Sequence, residues 1–131
     1  MLRSIVHRSF PPTRRRFQHT NARLHKYDPR VFRVAEEIVD AVATGRPVVA
    51  LESTIYTHGY PYGEMVDLAL HLESVVRSND AIPATIGVVD GVARVGLNRE
   101  ELIRLASAAG KPEIMKVSRR DLTYIIGSVR C

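Results

Sequence analysis

Residues 48–61 read VVALESTIYTHGYP and combine an apolar run with a cluster of polar side chains. The run VVAL is nearly continuous in apolar residues, which is typical of a strand buried on both faces of a sheet. The chain then places Glu52, Thr57 and His58 among small and turn-forming residues. This pattern predicts a buried strand of an α/β sheet that ends in a polar loop.

The polar residues after this strand have two interpretations. In the first, a buried strand reaches the surface and its polar side chains only cap the loop. In the second, they line one edge of an active site, because catalytic side chains are often carried by loops at strand ends. A lone histidine in a turn, such as His58, is more often structural than a ligand. The stretch by itself leaves both interpretations open.

The surrounding sequence predicts alternating helices and strands. Apolar periodicity indicates amphipathic helices over 28–45, 63–80 and 98–110, and a last helix that begins at Ser118 with Asp121 in its first turn. Strands are expected over 46–54 and 113–118, and as a hairpin within 83–97 around Asp90-Gly91. The order α-β-α-β-β-α-β-α predicts a three-layer α/β/α architecture with a mixed sheet.

Three helix ends carry recognisable signals. Asp28 is the expected N-cap of the first helix, and Gly45 is expected in the left-handed conformation after its end. Asn98 and Glu101 have the spacing of a capping box at the start of the helix over 98–110.

Composition excludes several classes of protein. The 131 residues are 45% hydrophobic, as is usual for one soluble globular domain, and no apolar run approaches the ~18 residues that span a bilayer. Cys131 is the only cysteine, so these residues hold no disulfide framework and no cysteine-based metal site. The sequence also lacks a His-x-x-x-His pair, a P-loop and a GxGxxG motif, which disfavours zinc, nucleoside triphosphate and dinucleotide binding.

The net charge of +5 is unevenly distributed. Residues 1–27 contain seven basic residues and no acidic one, whereas the remainder holds twelve basic and fourteen acidic residues. An Arg-rich, acid-free segment is typical of a mitochondrial presequence, so residues 1–27 are expected to be disordered and to direct the chain to mitochondria. A merely disordered extension and a basic arm that binds nucleic acid are the alternatives, and the second lacks interleaved aromatic residues.

A second polar cluster, KVSRRD, occupies residues 116–121. Arginines that open a helix strengthen the anion site at its N-terminus, and phosphate is the natural ligand there. Alternatively, Arg119 and Arg120 are solvated surface charges and Lys116 extends its charged end out of a strand. The local sequence does not decide between them.

Several motifs together resemble a known family. They are ALEST at 50–54, HGYP at 58–61, PATI and DG at 83–86 and 90–91, VGL at 95–97, and KVSRRDL at 116–122. In this order they resemble the N-terminal part of the pseudouridine-5'-phosphate glycosidases, the indigoidine synthase A family, over about residues 30–127. The resemblance implies an enzyme that cleaves the carbon–carbon glycosidic bond of pseudouridine 5'-phosphate to give uracil and ribose 5-phosphate.

The resemblance also implies roles for two residues. Glu52 matches the glutamate that donates a proton, and Lys116 matches a lysine that binds the substrate, facing the phosphorylated ribose. The family also uses a lysine nucleophile that opens the ribose ring and an aspartate that binds manganese. Both match positions beyond these residues, so manganese is expected from the family but no metal ligand is expected here.

Residues 28–131 are therefore expected to form the N-terminal portion of a larger glycosidase domain, truncated before the nucleophile and inactive alone. The alternative is a non-catalytic truncated subunit that binds full-length partners, since the family assembles as homotrimers. The expected ligand is a small molecule, no membrane association is expected, and nucleic-acid binding is disfavoured.

Overall fold

The computed structural model describes residues 27–59 and 62–128. The predicted presequence lies outside the described residues except for Tyr27, and Cys131 lies outside them as well. The proposed boundary between a presequence and a folded domain at residues 27 and 28 therefore stays a prediction.

The described residues form four strands, five α-helices and one short 3-10 helix. In chain order these are β1 (Phe32–Val34), α1 (Glu36–Thr44), β2 (Val48–Glu52), α2 (Thr54–His58), the 3-10 helix (Tyr62–Glu64), α3 (Met65–Ser78), β3 (Ile82–Val89), β4 (Val92–Val95), α4 (Arg99–Ser107) and α5 (Leu122–Ser128).

The four strands form one mixed sheet in the order β1-β4-β3-β2. β2 is parallel to β3, β3 is antiparallel to β4, and β1 is parallel to β4. The predicted hairpin joins β3 to β4 through Asp90 and Gly91, whose φ angles are 52° and 71°. Positive φ at both positions is the conformation of a type I′ turn, so the Asp-Gly signal is confirmed.

Helices cover the two faces of this sheet. Ile38 and Ala41 of α1 pack against Ile82 and Ala84 of β3 in one apolar cluster. Alternate residues of a strand point to opposite faces, so the intervening residues of β3 face the other side. A second cluster there joins α2, α3 and α4 to Val89. The α/β class and the mixed sheet are confirmed.

The helix predicted over 28–45 is wrong in its first part. Asp28 begins a turn, in which its backbone oxygen accepts hydrogen bonds from Val31 and Phe32 at 2.9 and 3.0 Å. The chain then forms β1 in parallel register with β4, and α1 begins only after Ala35, which has no side-chain capping bond. The apolar residues of β1 have high β propensity, and they pair with a strand that is distant in the sequence. This tertiary pairing outweighs the helical periodicity of the local sequence. Gly45 ends α1 at φ 75°, as predicted.

Two strand predictions are also corrected. Residues 113–118 form no strand, because within the described residues the sheet ends at β2 and no neighbour pairs with this segment. β2 is not buried on both faces, since it is an edge strand in which Val49, Ala50 and Glu52 are exposed. Along residues 27–59 and 62–128, no helix is long and apolar enough to cross a membrane.

Candidate functional site

Glu52 is the last residue of β2, where the parallel pairing of β2 with β3 ends. In the register of β2 and β3 it lies opposite Ile86, and both side chains are exposed. The same face carries Ile82 and Ala84, which α1 buries. α1 therefore does not cover Glu52, and its carboxylate lies on a solvent-exposed part of the sheet.

The surroundings of Glu52 are partly apolar. Ile86 opposite it is 43% exposed, and Ile55, three residues further along the chain, is 41% exposed. Among the described residues the side chain of Glu52 makes no hydrogen bond or ion pair. Exclusion of water favours the protonated form of a carboxyl group, so the role of an acid requires further cover over this face.

Lys116 lies in the irregular segment between α4 and α5 and is exposed. Its ammonium group has no ion pair among the described residues, and no contact described there joins it to Glu52. The structure thus leaves both residues accessible but does not bring them together, and their roles stay predictions.

The cluster at 116–121 is organised by Asp121. The backbone N–H and the hydroxyl of Ser118 both donate to Asp121 Oδ2, at 2.8 and 2.6 Å. These bonds, from the hydroxyl first and then from the backbone, lower the pKa of Asp121. The last helix was predicted to begin at Ser118 with Asp121 in its first turn, but α5 begins only at Leu122, and both residues precede it. Arg119 and Arg120 are exposed, which favours their interpretation as surface charges.

The capping box predicted before α4 is confirmed and extends into the sheet. The side chain of Asn98 accepts from the Glu101 backbone N–H at 2.8 Å, and Glu101 Oε2 accepts from the Asn98 N–H at 3.1 Å. Glu101 Oε1 also lies 2.6 Å from Arg94 Nη1 of β4. Both side chains of this ion pair are largely buried, so it ties α4 to the sheet.

His58 is held within its own short helix. Its Nδ1 lies 2.8 Å from Thr57 Oγ1, and Thr57 is buried while His58 is exposed. The Thr57 hydroxyl also lies 3.3 Å from the Ser53 carbonyl oxygen, to which it can donate. These bonds fit the structural interpretation of His58.

A buried polar group behind Glu52 was not found from the sequence. Tyr56 and Thr85 are each fully buried, and the Thr85 hydroxyl donates to Glu73 Oε1 at 2.7 Å. No motif or spacing in the sequence indicates this bond. Thr85 belongs to β3 and Glu73 to α3, so only the fold brings them together.

Two cavities of the described part of the chain are lined by neither Glu52 nor Lys116. One of about 330 Å³ lies between α1 and α3 and is lined by residues that include Glu37, Glu73 and Arg77. The other, of about 520 Å³, lies beside the β3–β4 turn and α4. Glu52 itself is exposed at the surface of the described part of the chain.

The described residues do not fit a manganese site. No group of three or more His, Cys, Asp or Glu side chains that could hold a metal ion occurs within residues 27–59 and 62–128. Three or more such ligands are usual where the protein itself holds a transition metal.

Comparison with known proteins identifies relatives. The family model described as "Indigoidine synthase A like protein" matches residues 37–130. The chain is 44% identical over 104 residues to pseudouridine-5'-phosphate glycosidase 2 of Photorhabdus laumondii, covering 79% of this chain and 33% of that protein. It is 41% identical over 103 residues to pseudouridine-5'-phosphate glycosidase of Escherichia coli, covering 79% and 32%. The chain thus spans about a third of the length of these curated relatives.

Two solved structures share the fold. The prealnumycin C-glycosynthase AlnA, crystallised with ribulose 5-phosphate, superposes with a TM-score of 0.57 at 35% identity over 75% of this chain and 30% of that one. An indigoidine synthase A-like protein of Thermotoga maritima gives a TM-score of 0.60 at 24% identity, over 78% and 32%. At that identity the second likeness concerns the fold alone.

Proposed function

The chain belongs to the indigoidine synthase A-like family, and we propose that it supplies part of the active site of a pseudouridine-5'-phosphate glycosidase. The observation that carries this proposal is the position of Glu52. It is the carboxyl-terminal residue of β2 and is exposed on a face that α1 leaves open. Ligands of α/β sheets bind at the carboxyl ends of strands. The names of the relatives from Photorhabdus and Escherichia coli support the choice of substrate.

The chemistry explains why a carboxyl group is needed. Cleavage of the bond between the ribose and a carbon atom of uracil leaves that uracil carbon in need of a proton. In the overall reaction one water is consumed, the uracil carbon gains hydrogen, and the sugar carbon gains the oxygen. We assign the proton donation to Glu52, since general acid catalysis by a positioned carboxyl group is usual for glycosidic bonds.

Lys116 is proposed to bind the phosphate of the substrate. It is exposed on a segment without regular structure, and its ammonium group is free of ion pairs within the described residues. A lysine acts on a phosphate as a point charge and does not require the fixed geometry of an arginine fork. The nucleophile and the manganese ligands are proposed to come from parts of the glycosidase that these residues do not match.

A chimera tests the proposal. The segment of the E. coli relative that aligns with this chain, 103 residues at 41% identity, is replaced by the corresponding residues of this chain. We expect the chimera to release uracil from pseudouridine 5'-phosphate, with the unmodified E. coli protein as the positive control. A chimera that has a folded circular dichroism spectrum and binds ribose 5-phosphate but releases no uracil would contradict the proposal.

A second candidate function is a non-catalytic subunit that binds full-length partners, in trimers as the family resemblance suggests. The free edge of β2 favours it: Val49 is 39% exposed there, and no described strand pairs on its outer side. Natural edge strands usually carry charges, prolines or bulges that prevent pairing, and the only charged residue of β2 is Glu52 at its end. Co-expression with the tagged E. coli relative tests it, and a chain that never co-purifies excludes it.

We also propose that residues 1–27 direct the chain to mitochondria, on the basis of their seven basic and no acidic residues. The test is to image a fluorescent reporter fused to residues 1–40. A variant in which Arg14, Arg15 and Arg16 are replaced by glutamine is the control, and it should remain cytosolic. A diffuse cytosolic signal from the unmodified fusion excludes the proposal.

A further inference from the structure

We propose that Ile86 binds the pyrimidine base of the substrate, as an apolar floor beside the carboxyl group of Glu52. This inference rests on the proposed function, because that function places a uracil carbon at Glu52. Ile86 contacts the base alone, and not the ribose or its phosphate. It is a substrate-binding residue that takes no part in proton transfer.

Ile86 is exposed although it belongs to an interior strand. β3 lies between β4 and β2, and Ile82 and Ala84 on the same face of β3 are buried. Ile86 is the next residue on that face and is 43% exposed. Isoleucine is among the residues most often buried in proteins, so the strand offers an apolar surface beside an exposed carboxylate.

Ile86 lies between Glu52 and the start of α1. It is opposite Glu52 of β2 on one side and opposite Val95 of β4 on the other. The start of α1 is held at Val95, because the backbone N–H of Ala35 donates to the Val95 oxygen at 2.9 Å. Neighbouring strands are ~4.8 Å apart, so the row from Glu52 to Val95 spans about 10 Å. One pyrimidine ring fits across this row, between the carboxyl group and the helix.

The chemistry assigned to Glu52 determines how the base lies. The uracil carbon that accepts the proton belongs to a planar ring and carries the ribose in the plane of that ring. The proton therefore reaches this carbon through the face of the ring. Because a general acid lies within hydrogen-bond reach of the atom that it protonates, the ring lies flat over the carboxyl group of Glu52.

A ring that lies flat over Glu52 extends either over Ile86 or past the edge of the sheet. Within residues 27–59 and 62–128 no strand pairs with the outer side of β2, so a ring on that side has no strand beneath it. Over Ile86 the ring covers an apolar side chain and removes it from water, which favours binding. The inward orientation is therefore the stable one.

Binding to the chimera with the E. coli relative tests this assignment. Glu52→Gln is included in every sample, so that pseudouridine 5'-phosphate binds without turnover. We expect Ile86→Ala to weaken its binding by at least about tenfold and Ile86→Val by about fourfold, because each methylene removed from contact with the base costs about the latter factor. The conservative valine variant provides the test if the alanine variant does not fold.

Ribose 5-phosphate, which lacks the base, is the matched ligand. Calorimetry should show that its binding changes by less than about twofold in either variant, since it has no base to contact Ile86. Val75→Ala is the control variant, because Val75 is also 43% exposed but lies on α3, and it should alter the binding of neither ligand. An equal loss for both ligands, or no loss for either, would overturn the proposal.

Turnover with Glu52 intact separates this proposal from the proposed function. Ile86→Ala should raise KM about tenfold, and Ile86→Val should keep it within about fourfold of the unmodified chimera. If Glu52→Gln has normal kcat, the proposed function fails, while the two binding measurements still decide whether Ile86 holds the base. If Glu52→Gln is slow and Ile86→Ala has normal KM, the assignment of Ile86 is wrong.

Discussion

Glu52 and Ile86 lie opposite each other in the parallel register of β2 and β3, and both are exposed on the face that α1 leaves uncovered. Ile82 and Ala84, on the same face of β3, are buried by α1. This face of β3 therefore changes from buried core to exposed surface within four residues. The Glu52 carboxylate lies beside the exposed part. A substrate or further protein placed there would remove water from Glu52 and Ile86 together.

Glu52→Gln in the chimera is expected to retain binding of ribose 5-phosphate but to lose at least ~10²-fold in kcat, the lower end for loss of a general acid. The amide has nearly the same shape but cannot donate an acidic proton. Uracil release and calorimetric binding measure the two effects separately. Glu36→Gln, at an exposed position of α1, should change neither. Turnover of Glu52→Gln within a factor of three would return Glu52 to a structural role.

Gly96→Ala is expected to destabilise the fold by about 1–3 kcal/mol, because Gly96 has φ 86° and a side chain there is strained. A Cβ at this position would also overlap Ile38 Cδ1 and lie 2.8 Å from the Ala35 Cβ. Gly63→Ala is the matched control, since nothing lies within 4 Å of a Cβ at Gly63. Urea unfolding measures both, and equal midpoints would mean that α1 does not pack this closely on the end of β4.

The Glu37–Arg77 pair should stabilise the fold in a pH-dependent way. Arg77 donates to both carboxylate oxygens, at 2.7 and 2.9 Å, and this bonding lowers the pKa of Glu37 in the folded state. The stabilisation is therefore present above the unfolded pKa and is lost as pH falls through the lowered folded value.

Comparison with Arg77→Gln measures this effect. The difference in unfolding free energy between the wild type and the variant should shrink as pH is lowered from about 6 to 3. Both side chains are 48% exposed, so the difference at neutral pH should stay below about 1 kcal/mol and should fall further in 1 M NaCl. A difference that grows on acidification would contradict the assigned sign.

The elements that were predicted correctly are those whose signals are local. The apolar stripe of α3, the capping box of α4 and the Asp90-Gly91 turn each lie within a short stretch, so the sequence specifies them without knowledge of the fold. β1 was not predicted, because its partner β4 lies about sixty residues away in the sequence. The strand predicted over residues 113–118 is wrong, because a strand forms only where a neighbouring strand pairs with it. The apolar periodicity of a short stretch of sequence does not show which distant strands pair with it.

The candidate site was likewise predicted only in part. The sequence predicted that Glu52 lies at the end of an apolar strand, which the structure confirms, but it did not predict that this strand is at the edge of the sheet. The exposure of Glu52 was not predictable, since it depends on how far α1 extends over β3. The hydrogen bond between Thr85 and Glu73 joins β3 to α3 through their side chains, and no spacing in the sequence indicates it.

A polypeptide of residues 28–131 alone is expected to release no uracil from pseudouridine 5'-phosphate. The 131 residues contain three lysines, Lys26, Lys111 and Lys116, and by the family resemblance none matches the nucleophile. Lys111 and Lys116 are exposed, and neither has an ion pair among the described residues. An acid without a positioned nucleophile loses most of the advantage of proximity, so its residual rate should be unmeasurable.

The measurement is uracil release by the purified polypeptide with and without manganese, and mass spectrometry after borohydride treatment with ribose 5-phosphate. The E. coli relative serves as the positive control for both. Added manganese should make no difference, because the described residues offer no group of three metal ligands. A stoichiometric adduct on Lys111 or Lys116, or uracil release above that of a Glu52→Gln control, would show that one of these lysines acts as a nucleophile.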